Sequence, residues 1–289
     1  MKVAIVGAGG LVGKEFTRQF SNDHQVLPLT HSDLDITDAQ AVSRVIFAER
    51  PDLIINCAVL GVDSCELEPS LAWSVNVSGP EYLAKAADAV DAEFVQISSN
   101  YVFDGQRRSG SYYTIEDTPN PINVYGQTKL AGERAVSAVS PRCFIVRTSW
   151  VFGVGKENFF SSAHRSLKSR KTIRAITDVW ANSTYVNDLV LRVAEILSHR
   201  HYSTYHVVNT GPCSYYDFAV AAAHILDMSD SELAQLIEPV KLSEVQRQAK
   251  RPPYTPMHCK VSEEIGLAPL RGWRTALAEY IRDDSCRPA

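Results

Sequence analysis

The chain reads as an α/β protein: a doubly wound parallel sheet covered by helices on both faces, with a smaller C-terminal lobe. Three observations predict this. Short runs that are apolar throughout alternate with helical periods over the first half, as strands buried on both faces require. A glycine loop, Gly7-Ala8-Gly9-Gly10-Leu11-Val12-Gly13, follows the first of these runs directly. Past Trp150 the alternation loosens, which marks the passage into the lobe.

Lys2–Val6 is a continuous β run, and Leu11–Phe20 is the helix beyond the glycines. Gln25–Leu29 reads as the second strand, 38–49 as a helix and 52–56 (Asp-Leu-Ile-Ile-Asn) as the third strand. A long helical stretch covers 71–90, a fourth strand 93–98, another helix 123–139, and Cys143–Thr148 closes the series. Beyond it, helices are expected at 158–169, 187–198 and 214–226, with a short strand at 205–209. Prolines 252, 253 and 256 mark a loop before a last helix near 273–282. The expected division is a dinucleotide-binding part, 1–153 with a returning segment near 178–205, and a substrate-binding lobe of about 154–177 and 206–289.

Composition narrows the classes. At 289 residues, 45% hydrophobic and 21% charged, the chain is long enough for a substantial core and ordinary for a globular protein. A net charge of −4, with Lys and Arg scattered, offers no field for nucleic acid. No apolar stretch nears the ~20 residues that span a bilayer, and only four apolar residues follow Lys2 before the glycines, too few for a signal peptide. Cysteines 57, 65, 143, 213, 259 and 286 show no C-x-x-C, which favours reduced thiols in a cytoplasmic protein. The nearest histidine pair, His199-x-His201, fits a solvated helix end better than a metal site, and no metal is expected.

The glycine spacing has a physical meaning. Gly7 permits a tight turn, Gly10 lets backbone approach a pyrophosphate, and Gly13 allows close packing of helix on strand, with free amides facing the phosphate. A plain strand-to-helix turn is the competing reading, and the position directly after a five-residue strand weighs against it. The second strand then ends near an adenosine ribose, at Thr30-His31-Ser32-Asp33-Leu34-Asp35. An acid there favours NAD and a cation NADP; His31 with Ser32 leaves the choice between NADH and NADPH open, and a helix-capping turn is an equal alternative for any one of these residues.

Tyr125 and Lys129 share a helix face. Reduction of a ketone builds negative charge on oxygen, so a proton donor is needed beside it, and a nearby ammonium lowers the pKa of a phenol. Ser99, at the end of the fourth strand, would hold the carbonyl against Tyr125. The bland reading of Ser98 and Ser99, a polar strand end bonding backbone, is the weaker one, because all three features fall in the right order.

These motifs resemble the extended short-chain dehydrogenases/reductases, most closely the dTDP-4-dehydrorhamnose reductase branch. The match is carried by Gly7-Ala-Gly-Gly-Leu-Val-Gly13, Ser32-Asp-Leu-Asp-Ile-Thr-Asp38, Arg50-Pro-Asp-Leu-Ile-Ile-Asn-Cys-Ala58 and Asn76-Val. It continues through Ile97-Ser-Ser-Asn-Tyr-Val-Phe-Asp-Gly105, Val124-Tyr-Gly-Gln-Thr-Lys-Leu-Ala-Gly-Glu133, Arg147-Thr-Ser-Trp-Val-Phe-Gly153, Arg251-Pro-Pro and Trp273, nearly the whole chain. The resemblance implies a Rossmann-type fold and NAD(P)H-dependent reduction of a nucleotide-linked 4-keto-6-deoxyhexose. It implies Tyr125 as general acid, Lys129 as its partner and ribose ligand, Ser99 where the family commonly has Thr, and Asn76 in a water-mediated proton path, against a plain helix-internal amide. For the cofactor it implies Gly7, Gly10, Leu11, Val12, Gly13, His31, Ser32, Asp35, Ile36, Cys57, Ala58 and Ser98. For the substrate it implies Asn100, Tyr101, Val102, Phe103, Trp150, Asn158 and Phe159, with a core aromatic as the even alternative for Trp150. The implied partner is a nucleotide-diphosphate keto-sugar, dTDP-linked by this likeness; a homodimer is compatible with it, nucleic acid and membrane are not.

The departures are Asn100 for a usual Asp, Ala58-Val59-Leu60-Gly61-Val62-Asp63 where the family has Ala-Ala-Tyr-Thr-x-Val-Asp, and Asp178-Val-Trp-Ala-Asn-Ser-Thr184 for Asp-Gln-x-Gly-x-Pro-Thr. They are expected to cluster around the substrate, leaving the reaction type intact, and to make its sugar, or its nucleotide, differ from dTDP-4-dehydrorhamnose. Epimerisation or dehydration on the same fold is one alternative, and a non-catalytic cofactor-binding regulatory subunit another; Asn100 argues against the first, and the intact Tyr125, Lys129 and Ser99 against the second.

Overall fold

The computed structural model describes residues 1–155 and 157–285. Alternation along the strands builds the architecture. In β1 (Lys2–Val6) Val3 and Ile5 face one side and Ala4 and Val6 the other, and all four are buried. The first side packs with Phe16 of α1 (Leu11–Phe20) and with Leu189 and Val193 of α8 (Val186–His199). The second packs with Val42 and Ile46 of α2 (Ala39–Glu49) and Leu83 and Ala87 of α5 (Gly79–Ala89). Two helical layers therefore cover one sheet, and the central strand between them is withdrawn from water from Val3 to Val6.

The sheet has six strands, all parallel. Its order is Thr204–His206, β5 (Cys143–Thr148), β4 (Glu93–Ser99), β3 (Leu53–Asn56), β1 and β2 (Gln25–Leu29). The chain leaves β1 in one direction for β2 and in the other for β3, so the topological switch point lies between β1 and β3, where such sheets hold ligands. The expected last strand is shorter than 205–209 because the chain turns away after His206 toward the lobe.

The expected helical stretch 71–90 is continuous in course but not in kind. It begins as α4 (Pro69–Trp73), widens into a π turn over Ser74–Ser78, and resumes as α5. Just before it, α3 (Val62–Leu67) is a further short helix. α6 (Val124–Val139) lies across the π turn so closely that a Cβ on Gly132 would stand 2.2 Å from the Asn76 carbonyl oxygen. A wide turn of this kind is a frequent companion of functional sites.

The lobe has its own core, in which Phe152, Phe160, Phe218, Trp273 and Tyr280 interlock over α7 (Phe159–Lys168), α9 (Tyr215–Ile225) and the last helix, Trp273–Ser285. Three two-stranded pieces complete it, and none joins the main sheet. No helix is long and apolar enough to cross a membrane among the described residues. Cysteines 57, 65, 143, 213 and 259 are free thiols; Cys286 lies outside the described residues.

Candidate active site

The glycine loop sits at the switch point with almost no spare room on one side. A Cβ on Gly13 would lie 2.3 Å from the Gly7 carbonyl oxygen, and one on Gly7, whose φ is +77°, 2.6 Å from the Ala58 nitrogen. Gly10 has nothing closer than 3.4 Å, so the loop is open toward the cleft there. Gly10 also caps α1 without a side chain, which leaves the first-turn amides for a ligand.

Two adjoining cavities share Gly10, Cys57 and Val59. One, of about 600 Å³, is lined by Gly7, His31, Asp35, Ile36 and Ala58 among others. The other, of about 280 Å³, holds Leu11, Val12, Gly13, Ser98, Ser99, Asn100, Tyr101, Tyr125, Lys129, Trp150 and Asn158. A glycine cradle with free amides, a ribose-sized polar rim and a long two-part cleft fit a dinucleotide.

In the second cavity α6 presents one face. Asn123 caps the helix by accepting from the Gly126 amide at 2.7 Å, and Gly126 is pressed so near the Tyr101 carbonyl that no side chain would fit. That contact seats Tyr125 in the cavity beside Ser99, whose hydroxyl favours its phenolate, and against the edge of the Tyr101 ring at 5.6 Å. Ser99 is itself fixed by the Tyr101 amide at 3.2 Å. Lys129 is 3% exposed and donates from Nζ to the Ile97 carbonyl at 2.7 Å. Burial pushes the Tyr125 phenol up to about 12, against the opposing effect of Ser99. The expected lowering by Lys129 does not figure among the influences on this phenol: desolvation disfavours phenolate more than Ser99 favours it. Burial likewise brings the Lys129 ammonium down to about 8, with the Glu133 carboxylate acting in the other direction.

Trp150 has φ +39°, a strained value for a bulky residue, and stacks on Phe160 at 4.7 Å while lining the cleft. Asn158 lines it too, though its amide caps α7 through the Ser161 nitrogen.

Several expected residues stand elsewhere. Val102 and Phe103 are fully buried in a cluster with Tyr113, Leu130, Val208 and Met257, because the 3-10 turn after β4 sends them inward. Phe159 packs on Tyr215 and Phe160 in the lobe. The Ser32 hydroxyl is bound to Thr30 in an exposed turn, and Ser98, though it lines the cleft, spends its hydroxyl on Glu133 behind it. Asn76 spends its amide on Leu60, Cys65 and Thr128, which ties the π turn to the loop after β3, to α3 and to α6. Of the three departures, those at Val59-Leu60 and Asn100 line the cleft, but residues 178–184 do not. Asn182 binds the Asn209 carbonyl and the Met257 amide, and Ser183 and Thr184 are fully buried. The expectation that all three cluster at the substrate is corrected to two.

Other residues complete the site without having been assigned a role in it. Thr148 and Ser149 line the cleft at the end of β5, and their signal was the Arg147-Thr-Ser-Trp motif. Arg251 meets Asp63 at 2.7 Å, and both it and Arg247 act on the buried phenols of Tyr101 and Tyr215. Only the fold brings that loop to the cleft mouth.

A serine, a phenol and an ammonium at the strand ends of a doubly wound sheet, beside a glycine cradle, define the class of the extended short-chain dehydrogenases/reductases. The RmlD substrate binding domain family matches residues 1–286, and the chain belongs to it. It is 39% identical to a dTDP-4-dehydrorhamnose reductase of Mycolicibacterium smegmatis over 97% of this chain and 85% of that protein. The crystal structure of a dTDP-4-dehydrorhamnose reductase from Clostridium acetobutylicum superposes with a TM-score of 0.91 at 36% identity, covering 99% of this chain and 100% of that one. That of a dTDP-4-dehydrorhamnose reductase from Bacillus anthracis, in complex with NADP, gives 0.91 at 33% identity, covering 98% and 99%.

Proposed function

We propose that this chain is an NADPH- or NADH-dependent reductase of a dTDP-linked 4-keto-6-deoxyhexose, with dTDP-4-dehydrorhamnose as the first substrate to test. The observation that carries it is that Ser99 and Tyr125 line one cavity at the strand ends, with buried Lys129 one helical turn further along and the glycine cradle beside them. A reduced nicotinamide held along Gly7, Gly10, Leu11, Val12, Gly13, Cys57 and Ala58 supplies hydride to the carbonyl carbon. The chain's own residues manage the oxygen. Ser99 orients it, and Tyr125, a phenol through the neutral range, donates its proton there; Lys129 provides the positive charge nearby. Arg247 and Arg251, at the mouth beside Tyr101 and Tyr215, would draw in the sugar's diphosphate, and binding there orients the distant ketone.

The family membership and both structural likenesses support this reading, and we assign 1–153 with 178–205 to the dinucleotide and the remainder to the substrate lobe. We place the enzyme in the cytoplasm, where its thiols stay reduced. One observation favours a second reading of the sugar: Val59 and Leu60 give one cleft wall an apolar surface where relatives of the resemblance carry a polar pair. On that reading a different dTDP-4-keto-6-deoxyhexose is preferred over dTDP-4-dehydrorhamnose.

The test follows NADPH absorbance with a panel of dTDP-keto-sugars. Consumption is expected to fall by about 10²–10⁴-fold in Tyr125→Phe while NADPH binding is retained. Unchanged turnover in that variant defeats the mechanism, and NADPH binding without turnover on any sugar points instead to a regulatory subunit. Ranking kcat/KM across the panel decides between the two sugars.

A further inference from the structure

Tyr125, Lys129 and Glu133 recur every fourth residue, so α6 carries a phenol, an ammonium and a carboxylate along one face. The first two reach the cleft; the third lies behind it. Glu133 is 5% exposed and is gripped by Arg147 of β5, which is 6% exposed, through Nε at 3.0 Å and Nη2 at 2.7 Å. Ser98 adds a third bond to the same carboxylate. Neither side chain lines the cleft. A bidentate buried pair of this kind is not needed for stability, since apolar residues often serve as well.

Its placement suggests another use. The groups acting on Lys129 are Glu133 on its own helix, Cys57 after β3 and Cys65 on α3, with Tyr125 one turn before. Both thiols stay protonated, because burial raises them, Cys57 to about 12. Glu133 is thus the one carboxylate acting on the ammonium among the described residues.

We propose that Glu133, held in place by Arg147 and Ser98, is a positioning residue for Lys129: it keeps the ammonium charged in a dry site, and Arg147 limits how strongly it does so. The inference rests on the reading of Tyr125 and Lys129 as the reductase pair, and it goes beyond it by extending the machinery one turn further along α6 to β5. Removing the carboxylate leaves Lys129 with burial alone, so its ammonium is lost at lower pH. Removing the arginine leaves the carboxylate uncompensated, so the ammonium persists to higher pH.

Opposite shifts in two variants separate this from a purely structural role. The alkaline limb of kcat/KM is expected to move down by about one pH unit in Glu133→Gln and up in Arg147→Met. In the cofactor-free protein, the Lys129 13Cε resonance should titrate with the same opposite displacements. If Glu133→Gln does not fold, the double variant Glu133→Gln/Arg147→Met, which leaves no lone buried charge, is expected to show the downward shift. A limb and resonance that stay at the parent position, or move the same way in both single variants, overturn the proposal. If Tyr125→Phe retains turnover, the reductase reading fails instead, while the lysine titration still decides the role of Glu133.

Discussion

At the residue scale, the site is governed by what burial does to a phenol and an ammonium. Tyr125 is held well above its ordinary pKa and stays a proton donor at any physiological pH, whereas Lys129 is brought down to about 8. Reduction that depends on the ammonium should therefore weaken as pH rises through about 8, and the phenol should not titrate in that range. A pH profile of kcat/KM checks this: Lys129→Met should lower activity and remove the limb, and a limb retained in that variant would assign it to another group. Ser99→Ala should cost less than Tyr125→Phe, about tenfold to a hundredfold in kcat, because it removes a hydrogen bond to the oxygen but leaves the proton donor.

At the scale of elements, α6 works because two small residues let it lie close to its neighbours. Gly126 meets the Tyr101 carbonyl and Gly132 the Asn76 carbonyl; Tyr125 and Glu133 flank these glycines, and buried Lys129 stands between them. Gly132→Ala would place a carbon 2.2 Å from a carbonyl oxygen, so the helix must move off the π turn. The expected outcome is a loss of about 1–3 kcal/mol, read as a lower Tm, together with reduced kcat. Unaltered melting and turnover would show that the helix has slack there. The helix and its register were legible from Asn123 to Val139, since capping asparagine and period are local signals. The π turn was not legible, because what opens it is the approach of another helix.

At the scale of the molecule, the lobe returns a single segment to the sheet. Thr255 bonds the Asn100 amide at 2.7 Å, Lys250 accepts from Asn123 at 2.7 Å, and Ala249 and Arg251 both bind Asp63. These contacts span more than a hundred residues of sequence and tie the segment to Asn100, which lines the cleft, and to Asp63, next to Val62 of the same cleft. Arg251→Ala should raise KM for the nucleotide sugar about tenfold or more and leave NADPH affinity unchanged. A KM equal to the parent value would remove Arg251 from substrate binding. A second long tie runs from Arg271, just before the last helix, to Asp188 of α8 at 2.8 Å, with Asn209 on the same carboxylate, and Arg271 also pairs with Glu279 of that helix. Its loss would leave a nearly buried carboxylate short of its main partner.

The residues by themselves determined the strands, the glycine cradle and the common face of Tyr125 and Lys129. Each depends on periodicity, backbone freedom or a spacing of a few positions, and these forces act within one element. They also carried the family resemblance that the comparisons bear out. Tertiary structure alone decided which polar atoms remain free for a ligand. Val102, Phe103 and Asn76 were turned inward by packing, residues 178–184 were drawn away from the cleft, and the Arg247–Arg251 loop was brought to it. It also decided that Tyr125 is a raised phenol rather than a lowered one. Desolvation is set by everything packed around a group, and no local pattern in the chain encodes that.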